Sequence, residues 1–356
     1  MTGRAGAGGG AGGGAGAPGL EEIGRWMAFL AEADRLKSVE RAGLLTDLSR
    51  AENSAEHSWH VALYALVLGA SDRAIAMILL HDLVEIDAGD QPIHLPHDAA
   101  ALAAAEEAAA RRLLGPLPGG PDLLALWHEF QRGESGDARL ARRMDHVQPL
   151  FQVLGAARPD PEHVRITRDN IATGRCARLR HEWPEAIAAA EALLAGRALP
   201  AALACELAFL LEADRLKGVV RASPVGDGSR RESSAEHSWH LALYALVLAP
   251  LAGPGVDVGR VIRMLILHDL VEIDAGDVPL HSAAGTAHDA PERHAAEAAA
   301  ARRLFGLPPG PLGAGLHALW AEFEAGRSRD AVFARALDRA QPVMQNLASG
   351  GGTWVE

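Results

Sequence analysis

A chain of 356 residues with a net charge of −12 and only 4% aromatic residues is long enough for two or three domains. It lacks both the clustered basic footprint and the stacking aromatics of a nucleic-acid binder. Two cysteines, Cys176 and Cys205, do not make a disulfide framework, so a reducing compartment is expected, with the cytoplasm as the address. No apolar run reaches the ~18 residues that span a bilayer.

Residues 1–19 are mostly glycine and alanine without an apolar signal core, and read as a disordered tail. Beyond them the Ala- and Leu-rich composition, with few runs of β-branched residues, favours helices. Ser54 is the predicted cap of a helix whose apolar residues, Val61 to Leu68, cover most of its surface, so this helix should be central and buried. A second helix is predicted over about Ala74 to Ile86, ended by Gly89 and Pro92. Further helices follow over Ala99 to Leu114, Pro121 to Gln131 and Ala138 to Leu154. No segment reads as a strand, and the expected fold class is all-α.

The chain then repeats itself. Glu32-Ala-Asp-Arg-Leu-Lys37 returns as Glu212 to Lys217, and Ser54-Ala-Glu-His-Ser-Trp-His60 returns as Ser234 to His240. His81-Asp-Leu-Val-Glu-Ile-Asp-Ala-Gly-Asp90 returns unchanged as His268 to Asp277. Asp145-His-Val-Gln-Pro149 is matched by Asp338-Arg-Ala-Gln-Pro342, and Leu126-Trp-His-Glu-Phe130 by Leu319-Trp-Ala-Glu-Phe323. So long a period means duplicated domains, because solenoid units run ~20–50 residues. The copies are taken as residues 20–196 and 197–356, the second with insertions around Pro250 to Asp257 and Ser282 to His288. The second runs to Trp354 with no counterpart of the helical stretch Glu162 to Leu194.

Each copy supplies one ordered set of donors: His57, His81, Asp82 and Asp145, then His237, His268, Asp269 and Asp338. Two imidazoles and two carboxylates suit a borderline or hard divalent ion such as Mn, Fe, Co, Ni, Zn or Mg, with positions left for water and a substrate oxygen. Helical periodicity puts Glu85 on the face of His81 and Asp82, and Asp90 follows the turn at Gly89. These carboxylates, with Glu272 and Asp277, have the chemistry to handle the protons of a hydrolysis.

The order His…His-Asp…Asp resembles the HD superfamily of metal-dependent phosphohydrolases, and His-Asp-x-x-Glu-x-x-x-Gly-Asp is similar to its 5′-deoxynucleotidase-like branch. The resemblance covers both copies. It implies helical bundles related by a pseudo-two-fold axis, each with one divalent metal ion. It also implies release of phosphate from nucleoside 5′-monophosphates by a metal-activated water. On that reading the eight donors ligate metal, Glu85, Asp90, Glu272 and Asp277 are catalytic, and Arg41 and Arg221 grip phosphate. The family's Trp after that Arg is here Ala42 or Ala222, which leaves the preferred sugar open. The implied partner is a small nucleotide, with neither nucleic acid nor membrane, for a monomer whose copies mimic the relatives' dimer. Two rival readings are an HD-type di-iron oxygenase, drawing further ligands from His60 or His94, and a nucleotide-binding regulatory module without turnover.

Other residues are assigned simpler roles. His60 and His240 are read as structural, Trp127, Phe130, Trp320 and Phe323 as core, and His94 and His281 as loop residues. Asp87 and Asp274 are expected to be solvated or capping. Arg50 and Arg230 are rival phosphate contacts, and Gln148 and Gln341 are candidates to brace the ligands.

Overall fold

The computed structural model describes residues 18–92, 95–277 and 291–351. Residues 1–17 of the expected tail lie outside this range, as do His94, His281, Trp354 and the insertion around Ser282 to His288. The described chain is nearly all helical.

The centre of the first copy is the helix Ser54–Val67, whose side chains are almost all buried, as its unbroken apolar surface predicts. Its cap differs from expectation. Asn53 holds the N-cap and accepts from the Glu56 amide, which frees the Ser54 hydroxyl for the functional site. In the second copy Ser233 caps the equivalent helix, Ser234–Val247.

The predicted helix over Ala74 to Ile86 is in fact two. Asp72–His81 is capped by Ser71 and stops at the His-Asp pair, and a short turn leads into Glu85–Ala88. Ending the helix there turns the Asp82 and Glu85 side chains out of its axis. Gly89 and Gly276 then reverse the chain at φ 72° and 74°, a conformation that glycine adopts without steric penalty. The helices Ala99–Leu114, Gly120–Arg132 and Gly136–Gly155 fall where the periodicity places them.

The absence of strands is corrected. Each copy holds one short antiparallel hairpin, Glu40–Leu44 with Ala51–Asn53 and Val220–Pro224 with Arg231–Ser233. Strands this short and polar, such as Ala51-Glu52-Asn53, carry no readable alternation. Their pairing is set by the packing around them.

The copies pack as a pseudo-two-fold pair, with Ser54–Val67 against Ser234–Val247 at the centre. Contacts across the seam are reciprocal. Asn53 donates to Glu236 at 2.6 Å, while Ser233 donates to Glu56 at 2.9 Å. Arg50 reaches the Lys217 carbonyl at 2.8 Å, and Arg230 reaches that of Lys37 at 2.6 Å. Each of these arginines also forks onto a buried glutamate of its own copy, Glu56 or Glu236. Arg50 and Arg230 are therefore tied into the seam, which removes them as phosphate contacts. Both cysteines are free thiols, and no described helix is long and apolar enough to cross a membrane.

Candidate metal centre

The helix ends and the hairpin bring the dispersed residues of the first copy together. His57 Nε2 lies 3.1 Å from Asp145 Oδ1 and 3.9 Å from Asp82 Oδ2, and His81 Nε2 lies 3.1 Å from Asp82 Oδ1 and 3.6 Å from Asp145 Oδ1. The second copy repeats this. His237 Nε2 to Asp338 Oδ1 is 3.1 Å, His268 Nε2 to Asp269 Oδ1 is 3.1 Å, and His268 Nε2 to Asp338 Oδ1 is 3.9 Å. All eight residues singled out as donors thus converge on two sites.

The ring nitrogens show what these clusters fit. His81 Nδ1 donates to the Ile78 carbonyl at 2.6 Å and His268 Nδ1 to that of Leu265 at 2.9 Å, each on a carbonyl left open at a helix end. His57 Nδ1 donates to Gln148 Oε1 and His237 Nδ1 to Gln341 Oε1, both at 3.1 Å. In all four rings Nδ1 donates to a carbonyl or amide oxygen, which turns Nε2 toward the carboxylates. The buried Nε2 atoms of His81 and His268 have no hydrogen-bond partner. Two imidazoles and two carboxylates around an orphaned nitrogen fit a divalent cation, and Gln148 and Gln341 orient the rings as outer partners of such ligands do. The first site draws positive charge even without an ion. Burial opposes a charge on His57, yet its contacts with Asp145 and Glu52 raise its pKa to about 9.

The carboxylates beside the ligands share one arginine. Arg41, carried by the hairpin, places Nη1 at 2.9 Å from Asp82, 3.4 Å from Glu85 and 3.5 Å from Asp90. Arg221 lies 2.7 Å from Asp269, 3.8 Å from Glu272 and 3.9 Å from Asp277. Burial, reinforced by neighbouring Asp82 or Asp269, pushes Glu85 and Glu272 up to about 8. Ser54 donates to Glu85 at 2.5 Å and Ser234 to Glu272 at 2.6 Å.

The first site opens into a cavity of about 630 Å³, a size that accommodates a small ligand. His81, Asp82, Glu85, Asp90, Asp145 and Arg41 line one side, with Ala42 beside them. Arg142, Arg175 and Arg178 also line the cavity and bring positive charge to it, together with His163, the neutral His146 and Glu106. Of these, Arg175 and Arg178 come from the stretch Glu162 to Leu194, which has no counterpart in the second copy, and both are exposed.

The HD domain family model matches residues 33–187 and again residues 213–356. The chain belongs to the HD domain family. Over 142 residues, 39% of its length, it is 30% identical to the 5′-deoxynucleotidase HDDC2 of Homo sapiens and that of Bos taurus. The matched stretch covers 65% of each of those proteins, just under two thirds of their length. It is also similar to the crystal structure of a predicted metal-dependent phosphohydrolase from Magnetospirillum magnetotacticum MS-1. That match is 46% identical with a TM-score of 0.40, over 44% of this chain and 77% of the other.

In this HD domain protein several further expectations meet a definite outcome. Asp87 and Asp274 are exposed, as expected, and are also paired there, since Arg112 and Arg303 fork onto them at 2.5–2.9 Å. Trp127, Phe130, Trp320 and Phe323 are buried, and Phe130 and Phe323 also pack on the His81 and His268 rings at 5.1 Å. His60 and His240 are buried and structural. His60 Nε2 donates to the Leu210 carbonyl at 2.9 Å, and its Nδ1 lies 3.0 Å from Lys217 Nζ. With both nitrogens engaged, His60 has none to offer a second iron. Sequence reasoning missed Glu52, Glu232, Lys37 and Lys217. Each recurs at the same place in both copies, and that repetition was the available signal.

Proposed function

We propose that this chain hydrolyses nucleoside 5′-monophosphates to nucleoside and phosphate at two metal-dependent sites. The observation that carries the reading is the pair of buried, unpartnered Nε2 atoms of His81 and His268, each facing a second imidazole and two carboxylates. His57, His81, Asp82 and Asp145 would hold the first ion, and His237, His268, Asp269 and Asp338 the second. When bound, the ion supplies Lewis acidity toward a phosphoryl oxygen and toward water.

The other groups have roles suited to their positions. Arg41 and Arg221 orient and neutralise the phosphate, exchanging part of their present pairing with Asp82 or Asp269 for the substrate's oxygens as the ion takes up those carboxylates. Glu85 and Glu272, in their ionised form, accept the attacking water's proton; their raised pKa makes that form a stronger base than an ordinary carboxylate and favours turnover toward pH 8. Asp90 and Asp277, bound through the same arginine, keep the guanidinium aimed at the mouth of the site. The similarity to 5′-deoxynucleotidases points to a nucleotide, and the arginines lining the first cavity, Arg41, Arg142, Arg175 and Arg178, support an anionic substrate. Ala42, standing in that lining, leaves room beside the sugar.

The test is phosphate release from a panel of ribo- and deoxyribonucleoside monophosphates by protein loaded with Mn or Co. The reading requires turnover of at least one nucleotide that is lost when His81 and His268 are both changed to Ala. Undiminished turnover in that double variant would reject it.

A further inference from the structure

Lys37 and Lys217 are among the most deeply buried side chains of the molecule, and neither lies where its own copy would use it. Lys217 belongs to the second copy, yet its Nζ lies 2.5 Å from Glu52 Oε1 and 3.0 Å from Gln152 Oε1 of the first. Both acceptors lead to His57. Glu52 Oε2 is 3.6 Å from His57 Nδ1, and Gln152 bonds Gln148, whose Oε1 receives the His57 Nδ1 proton. Asp214 completes the cage, bonding Lys217 and accepting from Thr46 of the first copy at 2.6 Å.

The arrangement recurs in the opposite direction. Lys37, from the first copy, donates to Glu232 of the second at 2.9 Å. The other oxygen of Glu232 lies 3.5 Å from His237 Nδ1, and Gln345 bonds both Glu232 and Gln341, the partner of His237. Asp34 again pairs with the lysine and accepts from the Gly226 amide. An ammonium is thus inserted from each copy into the other, one layer behind the first histidine of a site.

We propose that Lys217 and Lys37 are positioning residues acting across the seam, each holding the first histidine ligand of the other copy's metal site. The physical basis is the buried charge. Each lysine is the interior cation paired with Glu52 or Glu232 behind the histidine. The Nδ1 proton itself goes to Gln148 or Gln341, and the lysine anchors that glutamine through Gln152 in the first copy and through Glu232 and Gln345 in the second. Without the lysine this layer loses its anchor, and the ring loses the partner that fixes its orientation. The two sites therefore depend on each other's copy for assembly, and a copy cut from the chain would hold its ion weakly. This inference rests on the metal-site reading above.

The test uses full-length apoprotein titrated with Mn(II) by calorimetry, with one site silenced at a time. H268A/D269A leaves the first site as reporter, and H81A/D82A leaves the second. In the first background K217M is expected to weaken Mn binding about 10-fold, the usual scale for removing an outer partner of a ligand. In the second background K217M leaves affinity within about twofold. K37M gives the mirror image, and K217R and K37R, which keep the charge, stay close to the parent. If K217M does not fold, E52Q cuts the same link and is expected to weaken only the first site. Equal loss at both sites, or none at either in a folded variant, would overturn the proposal. Should the silenced parents bind as many ions as the unaltered chain, the metal-site reading itself fails, before any lysine is changed.

Discussion

His57 and His60 lie one turn apart on the helix Ser54–Val67, both buried and both beside carboxylates, yet they stand in opposite electrostatic states. Around His60 the cation is built in. Lys217 bridges Glu52, Asp214 and His60, and although those three groups could geometrically hold a metal ion, the ammonium already fills that place. Around His57 the built-in cation is Arg41, which pairs with Asp82, Glu85 and Asp90 but not with Asp145 or the ring nitrogens. His57, His81 and Asp145 gather within ligand distance of one another, and the His81 Nε2 has no partner. The contrast teaches that a knot of histidines and carboxylates is not diagnostic by itself. What separates the two clusters is that the ammonium of Lys217 sits among the His60 donors, whereas His57, His81 and Asp145 face one another and leave the His81 Nε2 without a partner.

That comparison yields predictions of decreasing size. Changing His81 and His268 together to Ala should lower phosphate release by at least about 1,000-fold in a colorimetric assay while moving the melting temperature little. Changing Glu85 to Gln, in a chain whose second site carries H268A, should lower kcat by about 100-fold or more, the range for a lost general base. K217M acts on the other cluster. It should cost about 3–5 kcal/mol in denaturant unfolding, because it strands two buried carboxylates, and equal stability of K217M and the parent would contradict the comparison.

Acid should find the same cluster. Burial, with Lys217 or Lys37 alongside, holds His60 down to about 4 and His240 to about 3. Both rings stay neutral in the fold but protonate in the unfolded chain below its ordinary value of about 6.5. Their neutral state thus stabilises the fold fully above that pH, and the contribution is lost as pH falls from about 6.5 toward 4. On acidification from pH 7 to pH 5 the metal-free parent should therefore lose about 3 °C more in melting temperature than H60Q does, the difference isolating this histidine from the groups of raised pKa at the metal sites.

The ligands were legible because their order is doubled, so that His57, His81-Asp82 and Asp145 each have a counterpart of the same residue type although insertions change the spacing. The helical class followed from composition and period. The break between His81 and Glu85 was not legible, since an apolar-periodic stretch carries no mark of where a helix stops to present its last side chains. Nor were the hairpins, whose three-residue strands owe their pairing to packing. Least visible were Lys37 and Lys217. The bond from Lys37 to Glu232 joins residues 195 apart in sequence, and no local pattern encodes a contact made by folding two copies together. Arg50 and Arg230 were misjudged for the same reason, because their partners include carbonyls of the opposite copy.

The central claim is that each half of the chain gathers one cation that the protein does not itself provide. Elemental analysis of Mn-loaded, desalted protein tests it most directly. The account predicts two ions per chain for the parent, one for H81A/D82A and none when H268A/D269A is added. A folded parent that retains no ion, or a quadruple variant that still retains two, would contradict it.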